Sequence, residues 1–255
     1  MTASRVKSAE RVMDILDLLS RRGLPLPAME IARALSLPKS TTHHLLNVMR
    51  ERGFATYRPD ERAWTLGVAA FEVGASYLRS GPLAHDGQRF MTALTNATGE
   101  TAHLAVLQGT DVVYLDKREP VSPGVRLVTE VGTRLPAHLT AVGRALLARL
   151  DAERLDALYA GYGWPTRTGR GPTSMGGLRR ALAEVRANGV AVERDTTTAG
   201  IECVAAAVSA RDGSAIAALG VAYLAAAKDA GATEEVARRV RAAAAEFSHH
   251  LGAAA

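Results

Sequence analysis

Apolar positions recur along this chain first with helical spacing and then with strand spacing, and the changes of period mark out the elements. From Val6 to Arg21 the stripe Ala9, Val12, Met13, Leu16 and Leu19 predicts an amphipathic helix, ended by Gly23 and the Pro25/Pro27 pair. A second, short helix near Ala28 to Leu35 carries Met29, Ile31, Ala32 and Leu35, and stops at Ser36-Leu37-Pro38. Pro38 lacks an N–H and has a preset φ, so it starts a new helix better than it continues an old one. Along that third helix Thr42, Leu45, Leu46 and Met49 share one face, and Lys39, Ser40, Thr41, His43, His44, Asn47 and Arg50 share the other. Phe54 to Tyr57 and Ala63 to Leu66 then read as strands around Arg58-Pro59-Asp60-Glu61-Arg62, with Arg58 and Arg62 in the tip of the hairpin. Gly67 to Arg79 returns to helical spacing through Val68, Phe71, Ala75 and Leu78, and Ser80-Gly81-Pro82 breaks it.

Beyond Leu83 the grammar is mixed. A helix to about Thr98 leads into strands Thr101 to Gln108 and Asp111 to Lys117 around Gly109-Thr110, then a third β-rich run, Val125 to Thr129. The segment Leu135 to Leu150, a helical stretch Asp151 to Ala160, a Gly/Thr/Pro/Arg-rich loop Gly161 to Pro172 and a helix Leu178 to Asn188 follow. Strand Val190 to Glu193, a hairpin of Ile201 to Ala210 and Ser214 to Leu224, and a helix Thr233 to Leu251 complete the order. Strands and helices alternate without a strict βαβ period, which predicts an antiparallel sheet flanked by helices, an α+β arrangement.

The polar face of the third helix combines cationic, hydroxyl, imidazole and amide groups, the chemistry that meets phosphate oxygens and base edges together. Two helices joined by a tight corner and followed by a basic hairpin match a winged helix-turn-helix, with Lys39, Arg50, Arg58 and Arg62 for phosphates and Ser40, Thr41, His43, His44 and Asn47 for bases. An ordinary helical hairpin with solvated charges is the alternative reading of the same pattern.

Charge shifts the balance. The net charge is +5 over 255 residues, and residues 1–79 hold twelve Lys/Arg against eight Asp/Glu, or +4. Most of the surplus therefore sits beside the candidate DNA helix, which favours a polyanionic partner. The single cysteine, Cys203, cannot pair internally and suits a reducing compartment. Arg5, Lys7, Glu10 and Arg11 interrupt any apolar run near the start, and Ser214 to Ala227 falls short of the roughly 20 residues a membrane span needs. A cytoplasmic protein without membrane contact is expected.

Five motifs, in order, resemble the successive signatures of the IclR-type bacterial transcriptional regulators: SLPKSTTHHLL, the hairpin with WTLG, GETAHLAVL with VVYLDK, LPAHLTAVGRALLA, and GIECVAAAV. The resemblance implies a winged helix-turn-helix DNA-binding domain (1–66), a linker helix (67–81) and a GAF-like effector-binding and oligomerisation domain (82–255). It implies a homodimer or homotetramer on double-stranded operator DNA, regulated by a small-molecule effector; no cofactor and no metal are expected. By the same resemblance Ala141 and Val142 offer two backbone N–H groups to an effector carboxylate or carbonyl, Cys203 and Glu193 are pocket residues, and Leu127, Leu135 and Ile201 are apolar wall.

The chain departs from that pattern in three places. Gly220 and Ala222 stand where relatives that bind small oxo-acids place serines, so a larger and less polar pocket, and a larger or more aromatic organic acid, are expected. Asp195-Thr196-Thr197-Thr198 replaces a more acidic run, and His44 replaces a frequent arginine, exchanging a bidentate fork for one or two bonds. The competing class is a metabolite-binding or metal-dependent enzyme with an accessory DNA-binding domain. It would need Glu193, Asp195, His103, His138 and Cys203 to converge, or His103, His138 and Cys203 to share a metal.

Overall fold

The computed structural model describes residues 6–121 and 129–253, and among them no helix is long and apolar enough to cross a membrane. The chain divides into two compact units, residues 1–80 and 81–255.

In the first unit α1 (Lys7–Arg22) ends where Gly23 turns left-handed, φ 63°, and donates its N–H to Leu19 O at 3.2 Å. Its core line differs from the expected stripe. Ile15 and Leu19 are buried with Val12 and Leu16 beside them, whereas Met13 is 64% exposed. At about 100° per residue the first four fit one arc and Met13 falls outside it. α2 (Ala28–Ala34) and α3 (Lys39–Glu51) meet at a corner closed by Leu37 N–H to Ala32 O at 2.8 Å, with Pro38 capping α3 and accepting the Thr42 hydroxyl at 3.1 Å. β1 (Ala55–Arg58) and β2 (Ala63–Leu66) form the hairpin, and a bridge from Leu26 to Trp64 ties it to the segment before α2. The expected tip is one residue too long: Arg58 is the last residue of β1, opposite Ala63. α4 (Val68–Ser80) follows, and much of its apolar surface is open, with Val68 and Phe71 both exposed.

In the second unit Gly81 caps α5 (Pro82–Thr98), whose Pro82 sits at the first helical position where no N–H is needed. Six antiparallel strands follow in the spatial order β5-β4-β3-β8-β7-β6: β3 (Thr101–Gln108), β4 (Asp111–Arg118), β5 (Arg134–Pro136), β6 (Ala191–Arg194), β7 (Ile201–Ser209) and β8 (Ala215–Leu224). The expected strand 125–129 lies outside the described residues except Thr129, which is irregular. α5 and α9 (Ala230–His250) cover one face, joined by Phe90 stacked on Phe247 at 4.6 Å over Leu104, Val204, Leu219 and Val221. α6 (Ala141–Leu147), α7 (Ala152–Tyr159) and α8 (Met175–Asn188) cover the other, packing Leu146, Leu155 and Leu182 with Ala105, Ala205 and Ala218. Strand alternation sends neighbouring residues to opposite faces, so both faces are fed by the same short sequences.

Candidate functional site

α3 buries Thr42, Leu45, Leu46 and Met49 and leaves Lys39, Ser40, His43, His44 and Arg50 exposed, with Thr41 and Asn47 half-buried. The apolar side is fixed by packing against Ile15, Ile31 and Trp64, so the polar side is held outward on a rigid element. The Arg50 guanidinium stands 6.0 Å from the Trp64 ring centroid. Arg58 is engaged by Glu61, Nε to Oε1 at 2.9 Å, whereas Arg62 occupies the turn with φ 49° and has no ion-pair partner among the described residues.

In the second unit the sheet face toward α6 hollows into a partly open cavity, whose non-atom space of about 480 Å³ includes open solvent. Its floor is two rows of cross-strand partners: Glu193, Cys203 and Ala222 in one, and Ala205, Gly220 and His103 in the next. Alanine and glycine at the centre of these rows keep the floor low. Leu135, Thr140, Ala141 and Val142 close one side, Thr197, Thr198 and Ile201 another, with Tyr114 and Thr129 beside His103. The structure thus places Leu135, Ala141, Val142, Glu193, Ile201, Cys203, Gly220 and Ala222 around one space; Leu127 lies outside the described residues. One expectation is corrected. A Cβ on Gly220 would stand 2.9 Å from Val142 Cγ1, so the room expected from the missing side chain is already filled by valine.

The polar groups of this cavity are few and fixed. At the start of α6 the Gly143 N–H donates to Thr140 Oγ1 at 3.0 Å and the Arg144 N–H to Thr140 O at 2.9 Å. The Ala141 and Val142 amides, the first two of the helix, have no acceptor among the described residues. Arg144 runs back beneath them, buried, with Nε to His138 O at 2.9 Å. Burial holds its pKa below the ordinary value, opposed by the charges of Glu193 and Glu184. Glu193 is 1% exposed, and its Oε1 accepts the Thr196 N–H at 2.6 Å and the Thr197 N–H at 3.3 Å. Its Oε2 is buried with no hydrogen-bond partner among the described residues. His103 Nε2 lies 2.8 Å from Thr129 Oγ1, and burial with the nearby Lys117 charge pushes its pKa down to about 3, so the ring is neutral. Burial and the adjacent Glu193 carboxylate push the Cys203 thiol well up, which keeps it protonated and a poor nucleophile.

The sets that an enzyme or a metal site would need are not assembled. His138 packs among Tyr159, Tyr162 and Trp164 with Nε2 3.1 Å from Pro165 O, apart from the cavity lining. Asp195 is spent on the Gly200 N–H at 2.6 Å and on Arg170 at 3.4 Å. Among the described residues no three His, Cys, Asp or Glu side chains are grouped to hold a metal. Sequence reasoning passed over Tyr114, Thr129 and Thr140 as lining residues, and named Thr197 and Thr198 only as part of a less acidic run. Only Thr140 carried a local signal, a hydroxyl residue directly before an apolar helical run.

Residues 8–59 match the IclR helix-turn-helix domain, and residues 75–249 match the C-terminal domain of bacterial transcriptional regulator IclR. The HTH-type transcriptional regulator XynR of Escherichia coli (strain K12) is 33% identical over 219 residues, 86% of this chain and 86% of that protein. The HTH-type transcriptional repressor AllR of Klebsiella pneumoniae is 32% identical over 215 residues, 84% of this chain and 79% of that protein. A solved IclR transcriptional regulator from Alicyclobacillus acidocaldarius superposes with a TM-score of 0.85 at 26% identity, covering 98% of this chain and 100% of that one. A polar helix face beside a hairpin in one unit, and an apolar cavity under a six-stranded sheet in the other, are the two working parts of a DNA-binding transcription regulator rather than of an enzyme, and the chain belongs to the IclR-type family of bacterial transcriptional regulators.

Proposed function

We propose that this regulator is a repressor that binds a pseudo-palindromic operator as a homodimer or a pair of dimers, and that an organic acid in the cavity of the second unit shifts its operator affinity. The observation that carries the DNA side of this reading is the two-faced α3. One face is locked into the core by Leu45, Leu46 and Met49, and the opposite face presents Ser40, His43, His44 and Asn47. Two such helices enter successive major grooves only if their half-sites lie about 34 Å apart or a multiple of that. The open apolar surface of α4, where Phe71 is 73% exposed, supports a second copy as its cover. On the effector side, Ala141 and Val142 line the cavity at the start of α6, and their amides, which have no acceptor among the described residues, would take the carboxylate or carbonyl of the ligand. Coupling of about 1–3 kcal/mol between the two sites would change operator affinity 5- to 150-fold. The repressor reading rests on the AllR likeness, and the place of action is the cytoplasm, where operator DNA lies.

The test uses operator DNA selected by the purified protein from a random duplex pool, titrated by fluorescence anisotropy across a salt series. Arg62→Ala is expected to weaken binding to every duplex alike and to reduce the slope of log K against log salt by about 0.9. Asn47→Ala is expected to cost about 1–3 kcal/mol and to relax preference at one base position. A change in base preference from Arg62→Ala, or a uniform loss from Asn47→Ala, would remove the assignment of hairpin to phosphates and helix to bases.

A further inference from the structure

The outer side of α3 is not one surface. At about 100° per residue the buried Thr42, Leu45, Leu46 and Met49 fill one arc, and Ser40, His44, Asn47 and Glu51 lie opposite its middle. Lys39, His43 and Arg50 form a separate row, within about 40° of one another, along one border of the buried arc; Thr41 and Val48 take the other border. A helix lying in the major groove turns the middle of its outer side to base edges, and its borders come nearest to the phosphate backbones that wall the groove. In the row on the first border an ammonium and a guanidinium stand with one imidazole between them, and only the imidazole changes charge near neutral pH.

The His43 ring is exposed and makes no hydrogen bond or ion pair among the described residues, whereas His250 is engaged by Asp86, and His103 and His138 are buried. The charged groups around α3 are Lys39, Arg50, Glu51 and Arg52 on the helix and at its end, Glu30 and Arg33 on α2, and Arg58, Asp60, Glu61 and Arg62 on the hairpin; none is bonded to that ring. A phosphate backbone brings acceptors and negative charge to this border. A neutral imidazole has one donor to give it, an imidazolium two donors and a charge, and a nearby anion favours the charged form.

We propose that His43 is a phosphate contact completed by a proton, so that operator binding takes up a proton at this ring, while His44 stays in the base-reading row. This rests on the DNA-binding reading above and deepens it, moving His43 from the base-reading set to the phosphate set. Each phosphate neutralised releases condensed counterion, so the slope of log K against log salt should steepen by about 0.9 when the ring is charged. Operator affinity then depends on pH as well as on salt.

The experiment titrates the full chain against its selected operator duplex by fluorescence anisotropy. Salt series are run at about pH 8 and about pH 6, on either side of the range in which an imidazole changes charge. The wild-type protein is expected to bind about fivefold or more tighter at the lower pH, with the steeper slope. Calorimetry in two buffers of different ionisation enthalpy is expected to show proton uptake on binding. His43→Gln keeps a neutral hydrogen-bonding group on an exposed helix position, so the fold should persist. It is expected to lose the pH dependence of affinity and slope and the proton uptake, and to keep the base preference. His44→Gln is expected to do the reverse, keeping the pH dependence and altering preference at one base position. A pH dependence equal in wild type and His43→Gln, or an affinity that falls toward the lower pH, overturns the proposal and leaves the DNA-binding reading in place. No binding to any duplex at low salt at either pH removes that reading and this proposal with it.

Discussion

Glu202 and Glu193 are both buried, stand on the neighbouring strands β7 and β6, and face opposite sides of the same sheet. Glu202 is complete. Its Oε2 takes the Arg194 guanidinium, and its Oε1 takes the Tyr223 hydroxyl at 2.7 Å and the Thr233 hydroxyl at 3.0 Å. On the face under α5 and α9 the charge of this carboxylate is met by an arginine and two hydroxyls, whereas on the face under α6 one oxygen of Glu193 has no hydrogen-bond partner among the described residues. Truncation should separate them. Glu202→Ala strands Arg194 and the Tyr223 hydroxyl and is expected to cost about 3 kcal/mol, the low end for a broken buried pair because the arginine is half exposed. Glu193→Ala loses the Thr196 and Thr197 bonds but also removes an unpaired oxygen, so its expected cost is about 1 kcal/mol. Urea unfolding of both variants without ligand reads the difference, and equal costs would erase the contrast between the two faces.

A second way to sharpen the contrast is pH. His103 lies on the hollow face with its folded pKa pushed down to about 3 by burial and by the Lys117 charge, against an ordinary value of 6.5. A depressed folded pKa means that the unfolded chain binds the extra proton first. Stability from this group is whole above about pH 6.5 and falls as pH drops toward 3, with a loss of about 2 kcal/mol by pH 5. His138, also pushed down by burial, contributes in the same direction. His103→Gln is expected to flatten the fall between pH 6.5 and 5 without abolishing it, as read by denaturant midpoints at each pH. An unchanged slope would place the acid sensitivity elsewhere.

Gly220→Ser restores the hydroxyl expected from smaller-ligand relatives but puts a Cβ 2.9 Å from Val142 Cγ1 and 3.2 Å from Ala205 Cβ. The expected cost is about 1–2 kcal/mol, as for other overpacked sites. Adding Val142→Ala should recover part of it, and the double-mutant cycle should show a favourable coupling of about 1 kcal/mol. Additive effects would mean that valine and glycine are not sharing one space.

What could be read in the sequence follows from how far apart the partners lie. The two faces of α3 were legible because a helix repeats within four residues, and Thr42, Leu45, Leu46 and Met49 are buried as the spacing predicts. Met13 misled because a stripe drawn through every apolar residue is wider than the arc that packing uses. In the second unit strand alternation could show that Cys203 and Ala205 share a face, but not that Gly220 brings His103 beside Ala205, which needs the order β3-β8-β7. The cavity residues named in advance came from family motifs, not from periodicity. No local pattern distinguishes a fully paired glutamate from a partly paired one: Tyr223 and Thr233 are 21 and 31 residues from Glu202.

The smallest expected effect probes Glu193 from the protein's own side. Cys203→Ser exchanges a weak S–H donor for a strong O–H one at the position paired with Glu193 across β6 and β7. The change in volume is slight and the strand is unaltered, so the chain without ligand should shift by less than about 1 kcal/mol in either direction. The serine hydroxyl would bond Glu193 more strongly than the thiol does, so a ligand group reaching that carboxylate would have more to displace. Affinity for a hydroxy acid such as 4-hydroxybenzoate is therefore expected to fall more than affinity for its unsubstituted parent acid. Calorimetry on both acids resolves this. An equal loss for both would mean that the serine only narrows the cavity.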